Sequence, residues 1–231
     1  MLELAPSGFE EVEGAGCVEL ASYTDAAGEA RIREVFSDAS ATHVESGWED
    51  RWRAFHRPVR AGGLWIGPPW VPVPRGEPVV LVDPGRAFGT GAHATTRACI
   101  ELLSGLERGS LLDAGCGSGV VGVAAVLLGF GPVRAVDLDP VAVEVARETA
   151  SRNGAAVDVR RADVLCDYLP SADVLVANIE LDVVEALLAR RPAATAITSG
   201  YLAHETPRLP GWEHVSRVEL DGWAADVSVC W

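Results

Sequence analysis

Residues 111–119 read Leu-Leu-Asp-Ala-Gly-Cys-Gly-Ser-Gly, an apolar stretch that reaches an acid and then alternates glycines. Glycine tolerates positive φ and lets backbone or ligand come close where a Cβ would clash. Between an apolar strand and the apolar helix pattern of 119–128, such a loop demands a strand–turn–helix unit. Units of this kind stack into a parallel sheet covered by helices on its faces.

The rest of the chain from residue 76 agrees. Residues 79–82 are apolar, and Thr95 or Thr96 is placed to N-cap a helix with Cys99, Leu102, Leu103 and Leu106 on one face. Residues 111–114 and 133–136 read as strands. Asp139-Pro140 then opens a helix in the favoured order of cap and N1 proline, and Asn153-Gly154 stops it. Strands follow at 157–159, 173–177 and 194–198. Between the last two lies a helix bearing Val183, Val184, Leu187 and Leu188 and ended by Pro192. Residues 213–220 and 224–230 have no helix between them and read as an antiparallel edge hairpin. The expectation is an α/β protein with a doubly wound, mostly parallel sheet and an antiparallel edge.

Upstream of this segment the pattern changes. Residues 1–46 suggest a small α/β unit: a strand over 15–23, a helix over 26–36 and a strand over 41–45. Residues 47–75 read as an aromatic, proline-rich connector. Trp48 and Trp52 share a helix face at i, i+4, and Pro68, Pro69, Pro72 and Pro74 impose an extended path. The expected division is 1–46, 47–75 and 76–231.

Charge narrows the partners. The chain of 231 residues has 33 acidic against 19 basic side chains, net −14, and every basic one is Arg. A field of that sign disfavours binding to a phosphate backbone and favours a cationic partner. The five cysteines are odd in number and include no C-x-x-C pair, and the histidines have no i, i+4 metal spacing. Neither a disulfide framework nor a metal site is expected. The longest uncharged apolar run, 120–133, is short of the ~20 residues of a membrane helix. Residues 1–13 are acidic and have no apolar signal-peptide core, so a cytoplasmic location is expected.

The chemistry sits at the strand tips. Asp137 follows Gly115 by twenty-two residues, at the end of the next strand, where its carboxylate can accept both hydroxyls of a ribose. With Gly115, Gly117 and Gly119 it describes an adenosine site at the carboxyl ends of the sheet. Two ligands compete. Gly117, Gly119 and Gly122 satisfy the dinucleotide pattern G-x-G-x-x-G. Asp113 completes instead D-x-G-x-G-x-G. A carboxylate there repels a pyrophosphate and suits the cationic methionine end of S-adenosylmethionine, so that cofactor is preferred to a nicotinamide. A glycine-rich loop at 83–96, Asp-Pro-Gly-Arg-Ala-Phe-Gly-Thr-Gly-Ala-His-Ala-Thr-Thr, opens the preceding helix and can cover the cofactor. At the tip of the fourth strand Asn178 offers both donor and acceptor to a reacting group. His93 and Glu180 are candidate general bases.

The segments 48–70, 83–96, 113–119, 136–140 and 176–179 together resemble those of the ribosomal protein L11 methyltransferases. The resemblance runs from about Trp48 to the C-terminus. It implies a class I, Rossmann-like methyltransferase architecture with a mostly parallel seven-stranded sheet. It also implies S-adenosylmethionine contacts at Thr96, Gly115, Asp137 and Asn178; Phe88, Gly89, Gly117 and Gly119 of the two glycine loops are further cofactor candidates, and Asn178 at its strand tip is the catalytic candidate. The implied reaction is methylation of lysine ε-amines and an α-amine on a basic ribosomal protein. The family's recognition domain resembles a four-stranded ferredoxin-like unit, of which residues 1–46 supply only part. Where the family reads Thr-His-Pro-Thr-Thr and Asn-Ile-Leu-Ala, this chain has Ala92-His93-Ala94-Thr95-Thr96 and Asn178-Ile179-Glu180-Leu181. The alternatives are a methyltransferase for another protein or a small molecule, an NAD-dependent dehydrogenase, and a non-catalytic adenosine-binding module.

Overall fold

The structure is a computed structural model that describes residues 10–14, 17–21, 24, 26–36, 39–41, 56–84, 89 and 91–231. Trp48, Trp52, Phe88 and all but the first residue of the strand expected over 41–45 lie outside the described residues. The chain divides into two units, Met1–Arg51 and Trp52–Trp231.

In the first unit, β1 (Glu10–Gly14) and β2 (Cys17–Ala21) pair antiparallel with Gly14 opposite Cys17, and α1 (Ala26–Val35) comes next. β2 and α1 fall where the sequence pattern puts them. β1 does not, because its three glutamates break the apolar alternation that marks a strand. An exposed Glu29–Arg33 pair at 3.0 Å spans one turn of α1 and adds about 0.3–0.5 kcal/mol.

The second unit begins with a small sheet in the order β3 (Val59–Ala61), β4 (Leu64–Gly67), β5 (Val79–Leu81). This corrects the reading of 47–75 as an extended connector. The Gly62-Gly63 turn reverses the chain, so β3 and β4 form a hairpin, and all four residues of β4 are buried. The prolines flank β4 without interrupting it. Parallel pairing of β4 with β5 crosses residues 75–76, so residues 59–81 form one sheet. The side chain of Asn153 closes the outer edge of β5. It accepts from the Leu81 N–H and donates to the Leu81 carbonyl, both at 2.7 Å.

The main sheet and its helices make up the rest of the unit, in chain order α2 (Ala94–Ser104), β6 (Leu111–Ala114), α3 (Val120–Leu127), β7 (Val133–Asp137), α4 (Pro140–Arg152), β8 (Val157–Arg161), β9 (Ala172–Asn178), α5 (Leu181–Leu188), β10 (Ala193–Leu202), β11 (Trp212–Leu220) and β12 (Trp223–Cys230). The strand order is β11-β12-β10-β9-β6-β7-β8. Every neighbouring pair from β10 to β8 is parallel, and β12 runs antiparallel to both β10 and β11. The expected hairpin is therefore present, but its second strand inserts between β10 and β11. The outermost strand, β11, runs with the others.

Period-two alternation splits the core between the two faces. Leu111, Val174, Val176, Ile197 and Val227 pack with Ile100 and Leu103 of α2 and with Val123 and Ala124 of α3. Leu112, Leu175, Ala177 and Ala196 pack on the other face with Val184, Leu187 and Leu188 of α5. The helix face expected for α2 shifts: Ala98, Cys99, Ile100 and Leu103 are buried, Leu102 is half-buried and Leu106 lies past the helix end. Within the described residues no helix is long and apolar enough to cross a membrane.

Candidate functional site

Strand register sets the site. Chain order reverses at β6, which sits between β7 and β9, and a crevice opens at the carboxyl ends of strands flanking such a switch. Ala114, the last residue of β6, is opposite Val136 on one side and Ala177 on the other. The next residue on each strand is Gly115, Asp137 and Asn178. Three separate segments thus deliver the predicted residues to one edge of the sheet.

Gly115, Gly117 and Gly119 take φ of 75°, 51° and 77°. At Gly115 the need for glycine is also spatial, since a Cβ there would lie 2.3 Å from Cγ2 of Ile179. The loop is tied to β7 by the N–H groups of Gly115 and Cys116, which donate to the Val136 carbonyl at 2.9 and 3.0 Å. Asp137 is half-buried. Its Oδ2 accepts from the Gly117 N–H at 2.9 Å and its Oδ1 from the Asp139 N–H at 3.0 Å. Each carboxylate oxygen keeps a further lone pair, the acceptor chemistry that a ribose diol needs.

Asp113 lies elsewhere than its sequence reading suggests. It is 3% exposed and turned under α3, where Oδ2 accepts from the Gly122 N–H at 3.0 Å. Burial pushes its pKa from 3.8 up to about 7; the Gly122 bond opposes the rise and the charge of Asp137 adds to it. Asp113 therefore braces the first turn of α3 and does not face a ligand. Beside it the buried Cys99 thiol is pushed up to about 12 by desolvation and by Asp113, against a hydrogen bond with Ser199.

α2 starts earlier than expected. Its N-cap is His93, not Thr95 or Thr96: Nδ1 accepts from the Thr95 N–H at 3.4 Å and lies 2.8 Å from the Thr95 hydroxyl. The imidazole also packs edge-on against Trp223, with centroids 5.0 Å apart. A ring nitrogen does the work of a capping oxygen, which leaves Thr96 free to turn toward β9. There the Asn178 amide donates to Thr96 Oγ1 across 3.5 Å. Glu180, the other candidate base, is exposed at the N-cap of α5.

Sequence reasoning missed Ser118. It is buried, and its hydroxyl donates to the Gly89 carbonyl, tying the 83–96 loop to the glycine loop. Its only sequence signal is its place among the glycines. Phe88 lies outside the described residues.

The topology and the site define a class I, Rossmann-like methyltransferase fold. A crystal structure of ribosomal protein L11 methylase from Lactobacillus delbrueckii subsp. bulgaricus shares that fold. It matches 76% of this chain and 99% of its own with a TM-score of 0.67 and 23% identity. The sequence profile of the ribosomal protein L11 methyltransferase (PrmA) family matches residues 18–228, and the chain belongs to that family. It is 38% identical over 213 residues to the ribosomal protein L11 methyltransferase of Methylococcus capsulatus, covering 85% of this chain and 71% of that protein. It is 42% identical over 192 residues to the one from Pseudomonas putida, covering 76% and 65%. Other relatives of the same name are spanned to as little as 57% of their length.

Proposed function

We propose that this protein transfers methyl groups from S-adenosylmethionine to amines of a basic protein, ribosomal protein L11, at the carboxyl edge of β6, β7 and β9. The observation that carries this reading is the meeting of the Gly115–Gly119 loop, Asp137 and the Thr96–Asn178 pair on that one edge. The donor set suits the cofactor. Asp137 would hold the ribose hydroxyls. Gly115, Gly117 and Gly119 would lie against the methionine portion, and Thr96 with Phe88 and Gly89 would border it. When bound, S-adenosylmethionine supplies a methyl group already activated on a sulfonium.

The chain's own residues then have two tasks. An amine lone pair must be held in line with the methyl carbon, and such orientation is worth several kcal/mol of barrier. Asn178, through its side-chain or backbone oxygen, holds the amine. A lysine must also lose its proton, and withdrawal from water into a narrow mouth lowers its pKa. His93 is engaged as a helix cap, so the proton is assigned to bulk water, released as the amine is desolvated, rather than to a fixed base.

The acidic chain, net −14, attracts a cationic acceptor, and we assign recognition of it in part to residues 1–46. A cytoplasmic setting, where the ribosome is found, belongs to the same reading. Transfer of labelled methyl from S-adenosylmethionine to purified ribosomal protein L11, with mass spectrometry of the modified amines, tests it. Charge steering weakens as the Debye length falls from about 10 Å at 0.1 M salt to about 3 Å at 1 M. With L11, kcat/KM should drop severalfold across that range while cofactor affinity stays level. Small amines that react as well as L11, with no salt effect on either, would overturn the protein-substrate reading.

A further inference from the structure

Asn178 is the last residue of β9, and the peptide after it is held from β10. Strand β10 bulges at Gly200, where its pairing with β12 slips between Ser199 and Tyr201. Gly200 has φ of 102°, and a Cβ there would fall 2.1 Å from the Ile179 carbonyl oxygen and 2.9 Å from its nitrogen. The bulge is therefore pressed against the backbone of Ile179, the residue after Asn178. Ser199 fastens it on both sides: its carbonyl accepts the Ile179 N–H at 3.1 Å, and its hydroxyl donates to the Ala224 carbonyl at 2.6 Å.

The two residues flanking this pair are joined by one hydroxyl. Tyr201 is 2% exposed, and its phenol oxygen lies 2.8 Å from Thr198 Oγ1 and 2.7 Å from Asp226 Oδ2. With one hydrogen to give, the phenol donates to the carboxylate and accepts from Thr198. Asp226 is anchored in turn by Arg217, whose Nε and one terminal nitrogen each lie 2.9 Å from its oxygens. Arg217 also donates to the carbonyls of Ala203 and Glu205, just beyond β10, at 3.1 and 2.8 Å. A chain of bonds thus runs from Thr198 before the bulge, through Tyr201 and Asp226, to Arg217 and the segment after it.

From this we infer that Tyr201 is a positioning residue for methyl transfer: its hydroxyl fixes the Gly200 bulge, and the bulge fixes the Asn178–Ile179 peptide against which the acceptor amine is held. This rests on the role proposed above for Asn178. Tyr201 is buried and is assigned no contact with cofactor or acceptor. It acts on where Asn178 stands, and a small misplacement of a group that orients a reactant costs rate out of proportion to the shift.

The test is Tyr201→Phe, which keeps the buried ring and removes the hydroxyl. Thr198→Val, which removes the other end of the same bond at similar volume, is a second variant in case the first folds poorly. Two readouts are taken on the full chain. Amide hydrogen exchange should show the Ile179 N–H exchanging about tenfold faster in either variant, with Leu175 in the middle of β9 unchanged. Methyl transfer to L11 should fall about tenfold in kcat, while the Kd for S-adenosylmethionine moves less than twofold. Exchange at Ile179 equal to wild type overturns the inference, as does faster exchange with full kcat, or a loss of cofactor affinity that matches the loss of turnover. Failure of the wild-type protein to methylate L11 would instead remove the proposed function, and the exchange comparison would still decide whether the hydroxyl holds the bulge.

Discussion

Asp113 and Asp226 are both sunk into the main sheet, on opposite faces, and they are answered by different chemistry. Asp113 looks toward α3 and accepts one backbone N–H, from Gly122. Burial dominates there and lifts its pKa to about 7. Asp226 faces the α5 side of the sheet and accepts from Arg217 and Tyr201, with the His214 ring nitrogen 2.8 Å away. Burial raises its pKa too, but the hydrogen bonds of Arg217, Tyr201 and His214 outweigh it and hold the carboxyl below its usual range. A carboxylate met by a guanidinium acts as a lock. A carboxylate met by one amide, beneath the loop assigned to the cofactor, stands close to gaining its proton at neutral pH.

The largest expected effect comes from breaking the lock. Arg217→Met leaves Asp226 buried without its cation and should cost about 3–5 kcal/mol, read from urea unfolding at pH 7. A loss under about 1 kcal/mol would place the pair among ordinary surface contacts. Asp137 sharpens the contrast from the functional side, because it is a half-buried carboxylate with acceptor capacity to spare. Asp137→Ala should weaken S-adenosylmethionine binding by about 10- to 100-fold, the worth of a charge-assisted hydrogen bond. Calorimetry on the folded variant decides this, and unchanged affinity would remove Asp137 from the site.

The pH dependence of stability separates the two buried aspartates by sign. Asp226, with its pKa held down, contributes stability above the ordinary carboxylate range and loses it as acid protonates the folded state. Asp113, with its pKa raised from 3.8 to about 7, contributes stability in full below pH 4, and that contribution drains away as pH rises to about 7. Asp113→Asn keeps an acceptor for Gly122 without the charge. It should flatten the fall between pH 4 and 7 and raise stability at pH 8 by on the order of a few kcal/mol at most. Unfolding midpoints across pH 3–8 for both proteins test this, and identical slopes would show that Asp113 does not titrate in that window. The smallest effect belongs to the rim of the lock. The His214 side chain is 57% exposed, so His214→Gln should change stability by less than about 1 kcal/mol.

Much of this architecture is legible in the residues, for reasons that differ between elements. The strand–helix alternation after residue 110 shows because β6, β7 and β9 are short apolar runs and because Asp139-Pro140 carries local helix-start chemistry. The glycine loop shows because positive φ at three alternate positions leaves a sequence trace. The hairpin of β3 and β4 is masked by surrounding prolines. The His93 cap uses a residue outside the usual capping set. The insertion of β12 between β10 and β11 depends on which strand finds which edge, and a hairpin pattern carries no such information. The Tyr201–Asp226–Arg217 chain joins three strands through side chains scattered between residues 201 and 226, none of them spaced as a motif. Of the candidate site, Asp137, Asn178, Thr96 and the three glycines stand at one edge of the sheet, a placement their strand-tip and loop positions make legible. Asp113 is displaced into the core because one strand position decides which face a side chain takes.

The most direct test lies at the tip of β9. Asn178→Ala should be assayed for methyl transfer to ribosomal protein L11 and, on the same sample, for S-adenosylmethionine affinity. A turnover lowered by at least about tenfold with a Kd within about threefold of wild type is the expected result, since Asn178 is assigned to orienting the acceptor. Full turnover, or a cofactor affinity that falls in step with it, would contradict the assignment and make Asn178 a contact of the cofactor alone.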